Sequence, residues 1–483
     1  MVPEVTGRSA ALDALRRVER GESFLRDELH AVFARANLPP RDRALAMQLA
    51  AGVVRHRRTL RLIISHLRGG RGREGAIQPH LRQILELGAF QLLFLDRVPS
   101  YAAVNEAAEQ ARRASAGRAG EKASGFVNGI LRALERLIAG RDHDGRPARD
   151  ALPHPDGGVV RLKAAVLPDP KESFAAFLGT AYSFPDWLIA RWLGAFGGRT
   201  EEICRWSNRR PHTYARLNPM HGYMSRDVAS RDREACPEPC RRVAGTLASV
   251  KFPPGPRPGS FDVSGLAPEE LDALIEEGVL TVQDPSAMAP VEALAPAPGE
   301  SVLDLCASPG TKTTQIAEAM GDRPSRASGS NDGRVVACDR REEKLQTIRR
   351  TVAARGLAGV TVCLSDSVAA AAPAGGFDAA LVDVPCSNTG VLARRVEVRW
   401  RLRPEDLEEL PRLQLELIAR AAALVRAGGR LVYSTCSLQE EENGAVVAAF
   451  LESNPAWRRV RSDLTLPGPD HDGVFWSLLA RQP

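Results

Sequence analysis

The 483-residue chain has no run near the ~18 consecutive apolar residues that a membrane-spanning helix needs. It also lacks a recognisable targeting segment. Its opening, MVPEVTGRSAALDALRRVERGE, mixes acids and bases on an amphipathic pattern, which suits neither a secretory signal nor a transit peptide. The expectation is a cytoplasmic protein with no membrane partner. Cysteine is sparse as well: eight residues over this length exclude a disulfide framework. Cys236 and Cys240, in CPEPC, form the one close pair, and no second pair or histidine cluster completes a metal site, so no metal is expected. Cys306, Cys338 and Cys363 lie in apolar, β-rich runs and read as small buried residues. An apolar fraction of 44% and a charged fraction of 26% are ordinary for a globular protein, and the length calls for two or three domains.

Acids are missing where bases gather. Residues 1–150 hold 26 Lys and Arg against 17 Asp and Glu, a net +9, which leaves −3 for the rest of a chain whose total is +6. The stretch VVRHRRTLRLIISHLRGGRGR, residues 53–73, has seven arginines and no acid. A run of this kind is expected to meet an anion, and phosphate backbone is the commonest one.

Residues 8–140 carry apolar positions at spacings of three and four, such as Leu12, Leu15 and Val18, or Leu81, Ile84 and Leu85, and predict an all-helical domain. GRDHDGRPARDALPHPDGG, residues 140–158, is rich in Gly, Pro and Asp and reads as a linker. A mixed segment follows, with WLIARWLGAF as a helix, TYARLNP as a strand and LAPEELDALIEEG as a capped helix. From residue 299 strands and helices alternate with short connections, the pattern of a parallel, doubly wound sheet. The expected boundaries are 1–140 for the helical domain, 141–171 for the linker, 172–283 for the small α/β domain and 284–483 for the large α/β domain.

The first strand of that last domain runs into CASPGTKTT, residues 306–314, a Pro-Gly turn that opens a helix where this fold presents backbone amides to a ligand. The next strand ends at Asp339 and the third at Asp366, and acids at these positions can meet the hydroxyls of an adenosine-containing cofactor. GDRPSRASGSNDGR, residues 321–334, lengthens the interval between turn and acid and reads as a surface insertion. Strand four then delivers Asp383, Val384, Pro385 and Cys386 to the same edge, and strand five delivers Ser434, Thr435, Cys436 and Ser437. A free thiol has a pKa of ~8.5 and needs help to ionise near neutrality. A thiolate can add to carbon 6 of a pyrimidine. That addition turns carbon 5 into a nucleophile able to take a methyl group from a sulfonium donor, and a nearby acid at ring nitrogen 3 assists it.

DLCASPGTKTTQIAE, ALVDVPCSNTGVLARR and LVYSTCSLQEEENGAVVAAFL resemble the cofactor loop, fourth and sixth motifs of the RNA 5-methylcytosine methyltransferases, and VQDPSAMAPVEAL resembles the segment just upstream. LAAGVVRHRRTL, LELGAFQLLFLDRVPSYAAVNEAAEQA and FVNGILRAL resemble the RNA-binding fold of the antitermination factor NusB. Their fusion is the layout of the ribosomal RNA small subunit methyltransferase B family. The resemblance implies an all-α NusB-like N-terminal domain, a small α/β RNA-contacting subdomain and a C-terminal Rossmann-like methyltransferase domain. It also implies a monomer that methylates carbon 5 of a cytosine in 16S ribosomal RNA with S-adenosyl-L-methionine.

By position, the resemblance assigns the cofactor cradle to Cys306, Ala307, Ser308, Pro309, Gly310, Thr311 and Lys312. Asp339 falls on the ribose, Asp366 near the adenine, and Asp383 serves both cofactor and base. Cys436 is the implied nucleophile, and Cys386 assists product release. The family usually reads CAAPGGKT, so Ser308 and Thr311 are departures, and Thr311 would be strained if its position required a positive φ. Asn388 stands where Gly is usual after PCS, a milder change because Asn tolerates the left-handed region. Arg394, Arg395, Arg399, Arg401 and Arg403 follow the thiol loop and are candidates for RNA phosphates. Three rival readings stay open at this point. They are a DNA-type enzyme with Cys386 as nucleophile, a transfer-RNA substrate, and a non-catalytic RNA-binding adaptor. A target base must leave its stack to reach a thiol, which favours a single-stranded or loop cytosine.

Overall fold

The computed structural model describes residues 5–21, 23–69, 77–114, 117–218, 252–321 and 333–483. The CPEPC pair and most of the insertion at 321–334 lie outside the described residues. The chain divides into two compact units: Met1–Arg210 with Leu392–Arg401, and Pro211–Val391 with Leu402–Pro483.

The first unit begins with seven helices, Gly7–Glu19, Leu25–Arg35, Pro40–Arg55, Arg57–Leu67, Pro79–Phe94, Ser100–Arg113 and Gly117–Leu137. Thr6 and Ser9 form a capping box at the first helix, and Pro40 and Pro79 each open a helix where a missing N–H costs nothing. Pro79–Phe94 is buried on most of its surface, through Ile84, Leu85, Leu87, Phe90 and Phe94 and through the polar Gln83, Glu86 and Gln91. Gly52 lets the neighbouring helix approach it, since a Cβ there would stand 2.0 Å from the Phe90 ring.

The stretch expected to be a linker is ordered instead. β1 (Ile138–Asp142), β2 (Ala151–Pro153) and β3 (Val159–Leu162) form an antiparallel sheet in the order β1-β3-β2. Its Gly and Pro residues are turn chemistry: Gly157 and Gly158 take positive φ between β2 and β3, and Pro153 ends an edge strand. Helices Phe174–Ala181, Asp186–Phe196 and Thr200–Asn208 complete this part of the chain. The unit boundary therefore falls at Arg210 rather than in the expected linker.

In the second unit, β4 (Tyr214–Leu217), β5 (Ser260–Asp262) and β6 (Leu280–Val282) make a small antiparallel sheet with β4 central. Helix Pro268–Glu276 packs its Leu274 with Ala215, Val279 and Leu280. The large sheet is built from β7 (Ser301–Asp304), β8 (Arg334–Asp339), β9 (Val360–Leu364), β10 (Phe377–Asp383), β11 (Val425–Thr435), β12 (Trp457–Thr465) and β13 (Val474–Arg481). Its order is β12-β13-β11-β10-β7-β8-β9. The expectation of a purely parallel sheet is corrected at one side. β7 to β11 pair in parallel, but β13 runs antiparallel to both β11 and β12, which makes the sheet mixed.

Alternation along β10 fixes both faces: Ala380 and Val382 pack toward Ile418, Val447 and Phe450, while Ala379 and Leu381 pack toward Ile316, Leu345 and Ile348. The strand order reverses between β7 and β10, so the crevice beyond their carboxyl ends is where a ligand belongs in this topology.

Candidate active site

Asp304 ends β7 at that crevice and is buried. Its Oδ2 accepts from the Thr313 hydroxyl at 2.7 Å, while Oδ1 has no partner among the described residues. Burial pushes its carboxyl up to about 7, Thr313 opposes this, and the nearby Asp383 and Asp339 carboxylates add to the rise. The loop after β7 is pinned by Ala307 N–H on Cys338 O at 2.8 Å and by Gly310 N–H on Ala307 O at 2.7 Å. Burial also pushes the Cys306 thiol up. The positive φ in this loop belongs to Gly310, at 103°, and not to Thr311, which opens helix Thr311–Ala319. The threonine departure is therefore unstrained.

Asp383 ends β10. It receives the Lys312 ammonium on Oδ2 and the Ser434 hydroxyl on Oδ1, both at 2.7 Å. Burial alone would lower the Lys312 ammonium, but the charge and hydrogen bond of Asp383 outweigh it and the net shift is upward. Parallel pairing of Asp383 with Ser434 brings the two thiol loops side by side, and Cys386 Sγ lies 3.2 Å from Cys436 Sγ. The hydrogen bond to Cys436 and burial hold the Cys386 thiol well above its usual range, helped by the Cys436 and Glu442 charges. Asn388 sits at φ 58°, in the left-handed region its side chain tolerates. Its Nδ2 donates to Cys386 O at 2.7 Å, and its Oδ1 accepts from the Cys436 thiol at 3.3 Å.

Cys306 to Lys312, Asp339, Asp383, Cys386 and Cys436 all stand at the carboxyl ends of β7, β8, β10 and β11. Asp339 is buried with both oxygens engaged: Oδ1 by the Arg340 and Arg341 amides, and Oδ2 by Lys344 at 3.3 Å. Asp366 follows β9, is largely exposed and pairs with Arg420 at 3.1 Å.

The arginine expectations are corrected in part, since Arg394, Arg395 and Arg403 stay exposed. Within the first unit, Arg58 binds Asp186, Arg61 binds Glu86 and Glu19, and Arg55 is buried. Much of the described part of the run 53–73 is therefore spent on internal partners rather than presented to phosphate. Arg399 is fully buried among Asn208 Oδ1, Ser207 O and Leu392 O, and Arg401 donates to Ser23 O. In the second unit Arg403 pairs with Asp406.

Roles not singled out from the sequence also shape the site: Asp304, Asn388 toward Cys436, Ser434 toward Asp383, and a buried pair, Glu442 and Asn443. Asn443 accepts from the Thr435 hydroxyl at 2.6 Å and donates to Ser437 O at 2.9 Å. The repetition of Ser after each cysteine was the available signal for the last pair. Among the described residues no cluster of His, Cys, Asp or Glu could hold a metal ion, and no helix is long and apolar enough to cross a membrane.

A helical NusB domain in the same chain as a methyltransferase domain with a mixed seven-stranded sheet defines the class. Residues 6–136 match the NusB family, and residues 291–471 match the family described as 16S rRNA methyltransferase RsmB/F. The chain belongs to the ribosomal RNA small subunit methyltransferase B family. It is 33% identical to the probable ribosomal RNA small subunit methyltransferase B of Synechocystis sp., covering 99% of this chain and 96% of that one. It is 31% identical to the ribosomal RNA small subunit methyltransferase B of Yersinia pseudotuberculosis, covering 98% of each. The solved structure of PH0851 shares the fold, with a TM-score of 0.70 at 23% identity over 99% of both chains.

Proposed function

We propose that the protein methylates carbon 5 of a cytosine in small-subunit ribosomal RNA, using S-adenosyl-L-methionine and a covalent adduct on Cys436. The observation that carries this reading is the pair of thiols 3.2 Å apart beside Asp383, at the ends of adjacent parallel strands. The relatives named for small-subunit ribosomal RNA support the substrate.

Support for the cofactor comes from the crevice itself. An unpartnered buried acceptor, Asp304 Oδ1, beside the loop suits a cationic ligand. Residues 306–312 would hold it, with Asp339 toward the ribose and Asp366 toward the adenine. When bound, S-adenosyl-L-methionine supplies the electrophilic methyl group.

Cys436 adds through its thiolate to carbon 6 of the flipped cytosine, and the ring electrons move to make carbon 5 nucleophilic. Cys386 Sγ lies 3.2 Å from Cys436 Sγ, within reach to share a proton with it. Asp383, held by Lys312 and Ser434, faces ring nitrogen 3. After methylation the carbon 5 proton passes to solvent water, its electron pair forms the C5–C6 double bond, and the C6–Sγ pair returns to Cys436. Cys386 assists that departure.

The test pairs two substitutions with bisulfite sequencing of ribosomal and transfer RNA from a deletion strain. Cys436→Ala should give neither product nor adduct, and Cys386→Ala should leave an enzyme–RNA adduct that survives denaturing electrophoresis. The deletion strain should lose one methylated cytosine in 16S ribosomal RNA. An adduct in Cys436→Ala and none in Cys386→Ala would reverse the roles. A loss confined to transfer RNA would overturn the substrate.

A further inference from the structure

Each thiol in the site is followed by a serine, and both serines reach the same carboxylate. Ser387 Oγ and Ser437 Oγ each donate to Glu442 Oε2 at 2.5 Å. The other oxygen, Oε1, accepts from the Ser387 amide at 2.8 Å and from Gln414 Nε2 at 3.0 Å. Glu442 is fully buried, as is Ser437, and Ser387 is nearly so. Four neutral donors therefore satisfy this carboxylate, and no ion pair to it is formed among the described residues. Thr389 lies between the serines, 3.3 Å from Ser387 Oγ and 3.2 Å from Ser437 Oγ, and accepts from the Leu438 amide at 2.8 Å. Tyr433 holds the Glu442 backbone from below through its hydroxyl at 2.5 Å.

The backbone leaves a gap that this cluster fills. Pairing between the two strands ends with Val384 N–H on Ser434 O at 3.0 Å, and contact resumes with Gly390 N–H on Cys436 O at 2.8 Å. Between them the loop that carries Cys386 crosses to the Cys436 loop through side chains. A buried charge without a cation is costly unless its hydrogen bonds are complete, and here they are complete only when both serines are in place. The carboxylate thus has one low-energy arrangement of the two loops.

We propose that Glu442 is a positioning residue that sets the Cys386–Cys436 separation by clamping the serine that follows each thiol. This rests on the proposed function for its catalytic meaning. The geometric claim can be read without RNA, because two thiols 3.2 Å apart are near the distance at which an oxidant can join them. Diamide takes up both thiol hydrogens, becoming the hydrazine as the S–S bond forms.

Full-length protein is treated with diamide, and the Cys386–Cys436 disulfide is followed by differential alkylation and peptide mass. Glu442→Gln keeps the shape but gives one end a donor facing donors. It should slow coupling by about tenfold and lower kcat by about 100-fold, the scale of an ångström misplacement of reacting groups, with KM for both substrates within about twofold. Ser387→Ala with Ser437→Ala should produce the same pattern, and adding Glu442→Gln to that pair should cost little more, since all three act as one unit. The double serine variant also supplies the measurement if Glu442→Gln does not fold. Unchanged coupling and kcat in Glu442→Gln would overturn the proposal. So would slower coupling accompanied by a lowered melting temperature and a changed Cys338–Cys363 pair, whose sulfurs lie 3.3 Å apart elsewhere in the sheet, because that marks general loosening. A wild type that couples its thiols but forms no cytosine adduct would overturn the functional reading alone.

Discussion

Lys312 Nζ lies 2.7 Å from Asp383 Oδ2, which ties the first turn of helix Thr311–Ala319 to the strand that delivers Cys386. The ammonium is mostly buried, and Asp383 raises its pKa above the usual 10.5. A raised lysine pKa contributes stability that is fully present below the unfolded value and is lost as pH rises through the folded one. Urea midpoints measured between pH 8 and pH 11 should therefore fall on the alkaline side in the wild type. In Lys312→Met this component of the fall should be missing, and stability near pH 8 should be lower because Asp383 keeps a charge without its cation. An alkaline limb identical in the two proteins would separate Lys312 from Asp383 in solution.

Arg399 should behave as an interior residue rather than as a phosphate contact. Its guanidinium is 2.6 Å from Asn208 Oδ1, 3.0 Å from Ser207 O and 4.2 Å above the Phe184 ring. Lysine cannot make these contacts together, so Arg399→Lys should cost about 3 kcal/mol in urea unfolding, the scale of losing charged hydrogen bonds in the interior. Because a buried cation displaces no counterions, the salt slope of RNA binding should not change. A flattened slope with unchanged stability would return Arg399 to the RNA surface.

The parts legible in the sequence were those set by local periodicity. The helical character of residues 8–137 follows from apolar spacing, and β10 follows from an apolar run whose alternate residues serve the two faces of the sheet. The thiol loops were legible because Pro-Cys-Ser and Thr-Cys-Ser each end a strand. What sequence could not supply was long-range pairing. Arg61 finds Glu86 25 residues away and Glu19 42 residues away, and Arg58 finds Asp186 at a separation of 128, so a run without local acids looked free when it was not. The misread linker has a different cause. Tight turns in a three-stranded sheet require the same Gly and Pro composition that flexible segments have. In Glu440-Glu441-Glu442, only the fold decides that the third acid turns inward while the first stays exposed.

Asp304 makes the strongest prediction about acidity. Its carboxyl rises from 3.8 to about 7 because it is buried with one oxygen unpartnered. The folded protein therefore binds this proton more tightly than the unfolded chain does. Stability from the protonated form is fully present below pH 3.8 and is lost progressively as pH rises through about 7. At about 1.4 kcal/mol per pKa unit, the cost of ionising the site is on the order of 4 kcal/mol by neutral pH. Asp304→Asn keeps an acceptor for the Thr313 hydroxyl but cannot ionise, so its stability between pH 4 and pH 7 should fall less steeply than that of the wild type. At pH 7 the asparagine protein should be the more stable one in the absence of cofactor. A cationic ligand in the crevice would reverse the balance by favouring the ionised aspartate, so S-adenosyl-L-methionine should raise the melting temperature of the wild type much more than that of Asp304→Asn. Parallel pH profiles for the two proteins would mean that Asp304 is already ionised and partnered in solution.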